Sequence, residues 1–329
     1  MCDNNSQQSK RVRSKQALYN LVMNSIADLS DELARCGYIA DANLATTLHL
    51  ADKLQRPVLL EGDAGVGKTA VAQSLAATRQ CELVRLQCYE GLDSNSVLYE
   101  WNYQKQLMAV RLSDQTEAKT SEEEIFSEKY LLERPLLHAI RSERPCILLI
   151  DEIDRADDEF EAFLLEVLAE FQITIPELGT IKATHKPTVI LTSNATRDLS
   201  DALRRRCLYH FVDYPSHEKE LRILQTRLPS LQIDLASSMI TFVQKLRRQN
   251  LKKTPGIAET LDWASALLHM HTDDLSSALP EIEATLGCLL KTRSDRELAD
   301  RDWIKEMLRF DSSKNNPENI DKPNANPNA

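Results

Sequence analysis

Three of the chain's eight glycines, Gly62, Gly65 and Gly67, fall within six residues. Glycine is needed where the main chain takes unusual angles or approaches another group closely, so the freest backbone of this chain is concentrated in one place. The stretch Gly62-Asp63-Ala64-Gly65-Val66-Gly67-Lys68-Thr69 fits the pattern G-x-x-x-x-G-K-[ST]. It follows the apolar run Val58 to Leu60 and opens a helical pattern from Thr69 to Ala77. Between a strand and a helix, such a loop can turn its backbone N–H groups inward as an anion nest. The helix start adds about half a positive charge. Lys68 then reaches the outer phosphates of a nucleotide, and the Thr69 hydroxyl is a ligand for Mg²⁺. The plainer alternative is a glycine-rich turn with a surface lysine.

Further along, short apolar runs alternate with helical periodicity. Pro57 to Leu60, Leu83 to Gln87, Cys146 to Ile150, Thr188 to Thr192 and Tyr209 to Val212 read as strands. Continuous apolar strands separated by helices predict a parallel sheet covered on both faces. Phe171 to Ile175 and Gly179 to Lys182 predict a β-hairpin around Pro176. An insertion from Tyr89 to Leu112 carries Tyr89, Tyr99, Trp101 and Tyr103, which suit either a buried core or a surface that grips a client. Ser121-Glu-Glu-Glu124 reads as a capping box for a helix running to Leu132. From Ser216 to Phe310 apolar residues recur only at helical spacing. The expected division is a disordered start (1–14), an α/β nucleotide-binding domain (15–215), an all-helical lid domain (216–310) and a disordered tail rich in Asn and Pro (311–329).

Ile147-Leu-Leu-Ile150-Asp151-Glu152 ends a buried strand on two carboxylates. Ligands of open α/β sheets collect at that end of the strands. Asp151 is placed to bind Mg²⁺, and Glu152 to polarise an attacking water as general base. A solvent-facing acidic helix cap is the competing reading. Asn194, just past the fourth strand, could orient that water or simply form a turn. Arg204, Arg205 and Arg206 cannot all share one helix face. One could reach a neighbouring subunit's γ-phosphate, and a solvated basic helix end is the alternative.

This order of features resembles the AAA+ ATPases, from about Gly37 to Trp303. Within them the chain is similar to the MoxR family, through Leu59-Leu-Glu-Gly-Asp-Ala-Gly-Val-Gly-Lys-Thr69, Asp151-Glu-Ile-Asp-Arg-Ala156 and Leu164-Leu-Glu-Val-Leu-Ala-Glu170. Arg85-Leu-Gln-Cys-Tyr-Glu-Gly-Leu-Asp93 and Leu98-Tyr-Glu-Trp-Asn-Tyr103 resemble the branch with the CoxD-type maturation ATPases. The resemblance implies a P-loop parallel sheet followed by a smaller helical lid domain. It also implies a homo-oligomeric, hexameric ring that hydrolyses ATP with Mg²⁺ at subunit interfaces. A chaperone role follows, acting on a client protein with a von Willebrand factor A domain partner, often in metal-cofactor insertion. It gives Lys68 and Thr69 the Walker A roles, Asp151 and Glu152 the Walker B roles, and Asn194 that of sensor 1. Arg206 becomes the first candidate for the arginine finger and Arg205 the second, while Tyr38 and Ile39 match the stretch that packs on adenine. One departure stands out: Glu259 falls where a sensor 2 arginine is usual, with Lys252 or Lys253 as conceivable substitutes.

Composition narrows the alternatives. Forty Lys plus Arg against 50 Asp plus Glu give a net charge of −10, which argues against nucleic-acid coating as the main activity. No apolar run approaches the ~20 residues a membrane span needs. Seven scattered cysteines without a CxxC pair point to a cytoplasmic protein with reduced thiols. A P-loop transferase such as a small-molecule kinase, and a nucleic-acid-linked AAA+ motor, remain the competing functions.

Overall fold

A computed structural model describes residues 25–113 and 122–309. The strands, in chain order, are β1 (Val58–Glu61), β2 (Glu82–Gln87), β3 (Tyr99–Trp101), β4 (Leu131–Glu133), β5 (Cys146–Asp151), β6 (Gln172–Ile175), β7 (Gly179–Lys182), β8 (Thr188–Ser193) and β9 (Leu208–Phe211). Five form one sheet in the order β2-β5-β8-β1-β9, every neighbour parallel. All residues of β1 and β5 are buried, which is why their sequences read as unbroken apolar runs. One face carries Leu59, Leu148, Ile150 and Leu191 into a core with Leu136, Ile140 and Leu164. The other carries Val58, Leu60, Ile147 and Leu149 against Leu44, Leu48, Val71 and Leu75. The described residues therefore have the expected α/β fold, a parallel sheet covered on both faces.

Polar residues set the helix starts. Asp41 accepts from Leu44 N at 2.8 Å before the helix Ala42–Leu54, and Asp157 accepts from Phe160 N at 2.8 Å before Asp158–Glu170. The hairpin β6–β7 is antiparallel, with Ile175 opposite Gly179. Within the insertion the aromatics divide. Trp101 is buried and packs edge-on against Tyr99 and Phe126, whereas Tyr89 and Tyr103 are exposed. The helix expected through Leu132 does not form. Glu122–Ile125 is a single turn, and Leu131–Glu133 is β4, antiparallel to β3, because Trp101 and Tyr130 anchor that pair in the core. Ser121 and both terminal segments expected to be disordered lie outside the described residues.

The chain divides into two compact units after Arg227. The helix His217–Arg227, which the periodicity alone groups with the region from 216, belongs to the sheet unit. Lys219 pairs with Asp41 at 3.2 Å, and the Arg227 guanidinium packs over Gly37. The second unit is helical. Phe242 and Trp263 stack at 5.2 Å between its two longest helices, Ile233–Arg247 and Ile257–His269, and the Trp263 indole donates to Thr285 Oγ1 at 2.9 Å. No described helix is long and apolar enough to cross a membrane.

Candidate nucleotide-binding site

The loop leaving β1 is fixed by contacts only glycine allows. A Cβ on Gly62 would stand 2.2 Å from the Val212 carbonyl oxygen, because β9 runs directly alongside. Gly67, at φ 98°, begins the helix Lys68–Arg79 from the left-handed region. Between them Asp63, Ala64 and Gly65 are exposed and Val66 is buried as the loop's anchor. Gly62→Ala should therefore destabilise the fold by about 1–3 kcal/mol, since inserted bulk must push main chain aside. Thermal unfolding would read that as a fall of a few degrees in Tm, about 2–4 °C per kcal/mol. An unchanged Tm would remove the close-approach argument.

Lys68 is buried, and its ammonium donates to Gly62 O at 2.6 Å, Asp63 O at 2.7 Å and Asn194 Oδ1 at 2.8 Å. Burial pulls its pKa below the ordinary value, opposed by the nearby carboxylates of Asp154, Asp63, Asp151 and Glu152. The Thr69 hydroxyl lies 3.0 Å from Asp151 Oδ1 and 3.3 Å from Oδ2. Asp151 Oδ1 also accepts from the Thr192 hydroxyl at 2.5 Å, and Oδ2 from Arg85 Nη2 at 2.5 Å. Glu152 adopts φ 56°, ψ 51°, with its N–H on Thr192 Oγ1 at 2.9 Å and its half-exposed carboxylate 3.7 Å from Arg155. Asp154 is buried. Desolvation acts to raise its pKa, but hydrogen bonds from the Thr196 hydroxyl, Thr196 N and Asn194 N prevail and hold it below the usual value.

The structure thus brings Lys68, Thr69, Asp151, Glu152 and Asn194 to one end of the sheet. Tyr38 stands beside the loop, 3.9 Å from where a Gly67 Cβ would be, and Ile39 is buried next to it in sequence. Burial, helped by Asp41, raises the Tyr38 phenol far above its normal value. Arg205 and Arg206 are elsewhere. They end the helix Asp201–Arg206 next to the start of β9, which pairs Leu208 with Val58 at the opposite end of β1 from the glycine loop. Arg56 caps this turn by donating to the carbonyls of Arg205 at 2.5 Å and Arg206 at 3.0 Å. The Arg206 guanidinium makes one long contact, 3.4 Å to Leu165 O, and that of Arg205 has no hydrogen-bond or ion-pair partner among the described residues. Arg204 alone turns toward the loop, held 3.2 Å from Glu61. In the second unit, Glu259 accepts from Gly256 N at 3.0 Å and so secures the start of its own helix, while the Lys252 and Lys253 amides bind Asp295.

Sequence reasoning passed over Arg85, Thr192 and Asp154. The available signals were slight: one hydroxyl ending an apolar strand, a third carboxylate in Asp-Glu-Ile-Asp, and an arginine in an otherwise apolar alternation.

The donor set suits Mg²⁺. Hydroxyl and carboxylate oxygens are its preferred ligands. Thr69 and Asp151, hydrogen-bonded at 3.0 Å, supply one of each. Arg85 already brings positive charge to the same carboxylate.

A glycine-Lys-Thr loop between β1 and its helix, facing an acidic strand end two positions across the sheet, is the arrangement of a P-loop nucleotide-binding fold. Residues 57–207 match the family model for the AAA domain (dynein-related subfamily). An uncharacterized protein of Staphylococcus epidermidis is 26% identical over 252 residues, covering 74% of this chain and 88% of that protein. Gas vesicle ATPase GvpN2 of Halobacterium salinarum is 25% identical over 269 residues, 78% of this chain and 74% of its own. Among solved structures, the Thermotoga maritima RuvB Holliday junction branch migration motor aligns with a TM-score of 0.44 at 17% identity, over 79% of this chain and 71% of that one.

Proposed function

We propose that this protein is an ATPase that couples hydrolysis of ATP to the remodelling or maturation of a client protein. The observation that carries the reading is the convergence of the Lys68 ammonium, the Thr69 hydroxyl and the Asp151 carboxylate at the mouth of the glycine loop. The loop amides of residues 62–68 and Lys68 hold the β- and γ-phosphates. Thr69 and Asp151 hold Mg²⁺, which neutralises phosphate charge when bound. Glu152, half-exposed at the strand end, takes a proton from water as it attacks the γ-phosphorus in line. Asn194, tied to Lys68 through its Oδ1, orients that water. Tyr38 and Ile39 pack on the base.

Arg205 and Arg206, remote from their own loop, serve a neighbouring copy. That arrangement implies a ring, hexameric in the MoxR-like reading, with the nucleotide at each interface and the helical unit as a lid. A planar, permanently charged guanidinium suits the developing charge on the γ-phosphate. A cytoplasmic setting and a von Willebrand factor A domain partner complete the proposal, in line with the MoxR and CoxD-type resemblance.

Two measurements test it. Product analysis of purified protein with ATP and Mg²⁺ should give phosphate released to water. A phosphorylated small-molecule acceptor would mark a transferase instead, and turnover that requires DNA or RNA a nucleic-acid motor. Arg206→Ala subunits and Lys68→Ala subunits, each inactive alone, should regain about a quarter of wild-type turnover when mixed if the finger acts across interfaces. Demonstrably mixed assemblies without recovery, for Arg205→Ala as well as Arg206→Ala, would exclude that arrangement.

A further inference from the structure

We propose that Thr192 is a positioning residue that sets the directions of Asp151 and Glu152 together, and ties the acidic turn after β5 to the Asn194 loop after β8. The inference rests on the ATPase reading above and adds a residue that reading does not use. The main-chain ladder between β5 and β8 ends at Ile150 opposite Leu191. One residue further on, the Thr192 side chain takes over the pairing. Its hydroxyl has one proton and uses it on Asp151 Oδ1 at 2.5 Å, and its oxygen accepts the Glu152 N–H at 2.9 Å. Thr192 is 1% exposed, so water cannot replace either bond, and removing the hydroxyl leaves two polar partners unsatisfied.

The second of these bonds sits at a point of backbone strain. Glu152 bears a side chain yet lies in the left-handed region, at φ 56° and ψ 51°. That conformation is unfavourable for a residue with a side chain and persists only where the surroundings over-determine it. The bond from its N–H to Thr192 is one such constraint. Relaxation to ordinary torsions would swing the Glu152 carboxylate away from its present direction and release Asp151 from one of its donors.

A second clip crosses the same gap in reverse. Asp154, on the turn after Glu152, accepts at Oδ2 from Asn194 N at 3.2 Å, Thr196 N at 3.0 Å and the Thr196 hydroxyl at 2.6 Å. Thus the Thr192 side chain at the end of β8 is anchored on the main chain of the acidic turn, and the Asp154 side chain of that turn on the main chain of the Asn194 loop. Glu152 and Asn194 form one rigid unit, with Thr192 as the pin nearest the carboxylates.

Thr192→Val keeps the branched shape and removes the hydroxyl, whereas Thr192→Ser keeps the hydroxyl and removes a methyl. The valine variant should lose about 10- to 100-fold in kcat, the scale of a general base displaced by about an ångström. Its Kd for a fluorescent ATP analogue in the absence of Mg²⁺ should stay within about threefold, since the glycine loop and Lys68 are untouched. The serine variant should recover most of kcat. Thr192→Ala, which adds no bulk, should repeat the valine pattern and serves if valine impairs folding.

A kcat within about twofold of wild type in both hydroxyl-free variants would overturn the inference while leaving the ATPase reading intact. So would an equal loss in the serine variant, or a matching loss of nucleotide affinity, each marking a merely structural residue. Absence of ATP hydrolysis by the wild-type protein would remove the ATPase reading and this inference together.

Discussion

Lys68→Ala abolishes nucleotide binding at concentrations where the wild-type protein is saturated. Its ammonium is held by three oxygens, two from the loop carbonyls of Gly62 and Asp63 and one from Asn194, so it is already aimed at the mouth of the loop. Each hydrogen bond from a charged donor contributes about 1.5–3 kcal/mol. Loss of two such bonds to phosphate oxygens corresponds to about 100-fold or more in Kd. The variant also strands the three acceptors that Lys68 now satisfies, so a modest loss of stability accompanies the loss of affinity. Titration calorimetry with ATP and Mg²⁺ is the direct measurement. An affinity within about threefold of wild type would remove Lys68 from the phosphate cradle.

Glu152→Gln separates binding from turnover. The amide has the shape of the carboxylate and leaves the Glu152 N–H on Thr192, so the strained turn at φ 56° stays in place. ATP and Mg²⁺ should bind with wild-type affinity, because Lys68, Thr69 and Asp151 are unchanged. Turnover should fall by about 100- to 10,000-fold, the usual contribution of a general base. A protein held in the ATP state in this way is also the best bait for the client, which can be identified from what co-purifies with it. Wild-type turnover in Glu152→Gln would show that another group activates water. The neighbouring carboxylate at the same strand end is Asp154, whose Oδ2 takes three donors from the Asn194 loop while its buried Oδ1 has no hydrogen-bond partner among the described residues, so Asp154→Asn would be the next variant to assay.

Much of this was legible in one dimension. The glycine loop, the strand before it and the helix after it announce themselves because each depends on local chain chemistry: backbone freedom at Gly62 and Gly67, an apolar run, a helix start. Asp151 and Glu152 were legible for a related reason, since behind a glycine-Lys-Thr loop two carboxylates ending an apolar strand favour a ligand site over an acidic helix cap. The helix expected from the capping box at 121–124 was carried too far, to Leu132, because a local helix signal cannot weigh a distant core. Trp101 and Tyr130 draw the following residues into a two-stranded ladder, and tertiary burial overrides helix propensity there. The helix His217–Arg227 was grouped with the wrong unit because its period says that it is a helix and nothing about what it packs on.

The sequence by itself determined the parts on which the proposed chemistry rests: a glycine-Lys-Thr loop, two carboxylates ending an apolar strand and a sheet of buried parallel strands. Local residue type and spacing suffice for those, because each is enforced within a few residues along the chain. The tertiary structure alone decided which side chains share a hydrogen bond. Thr69 meets Asp151 across 82 positions, Lys68 meets Asn194 across 126, and Thr192 pins the acidic turn across 41. It also decided which arginine faces the loop, giving Arg204 to Glu61 and leaving Arg205 and Arg206 at the far end of β1. Such contacts come from strand order and register, which depend on packing the whole sheet and leave no mark at any one position of the chain.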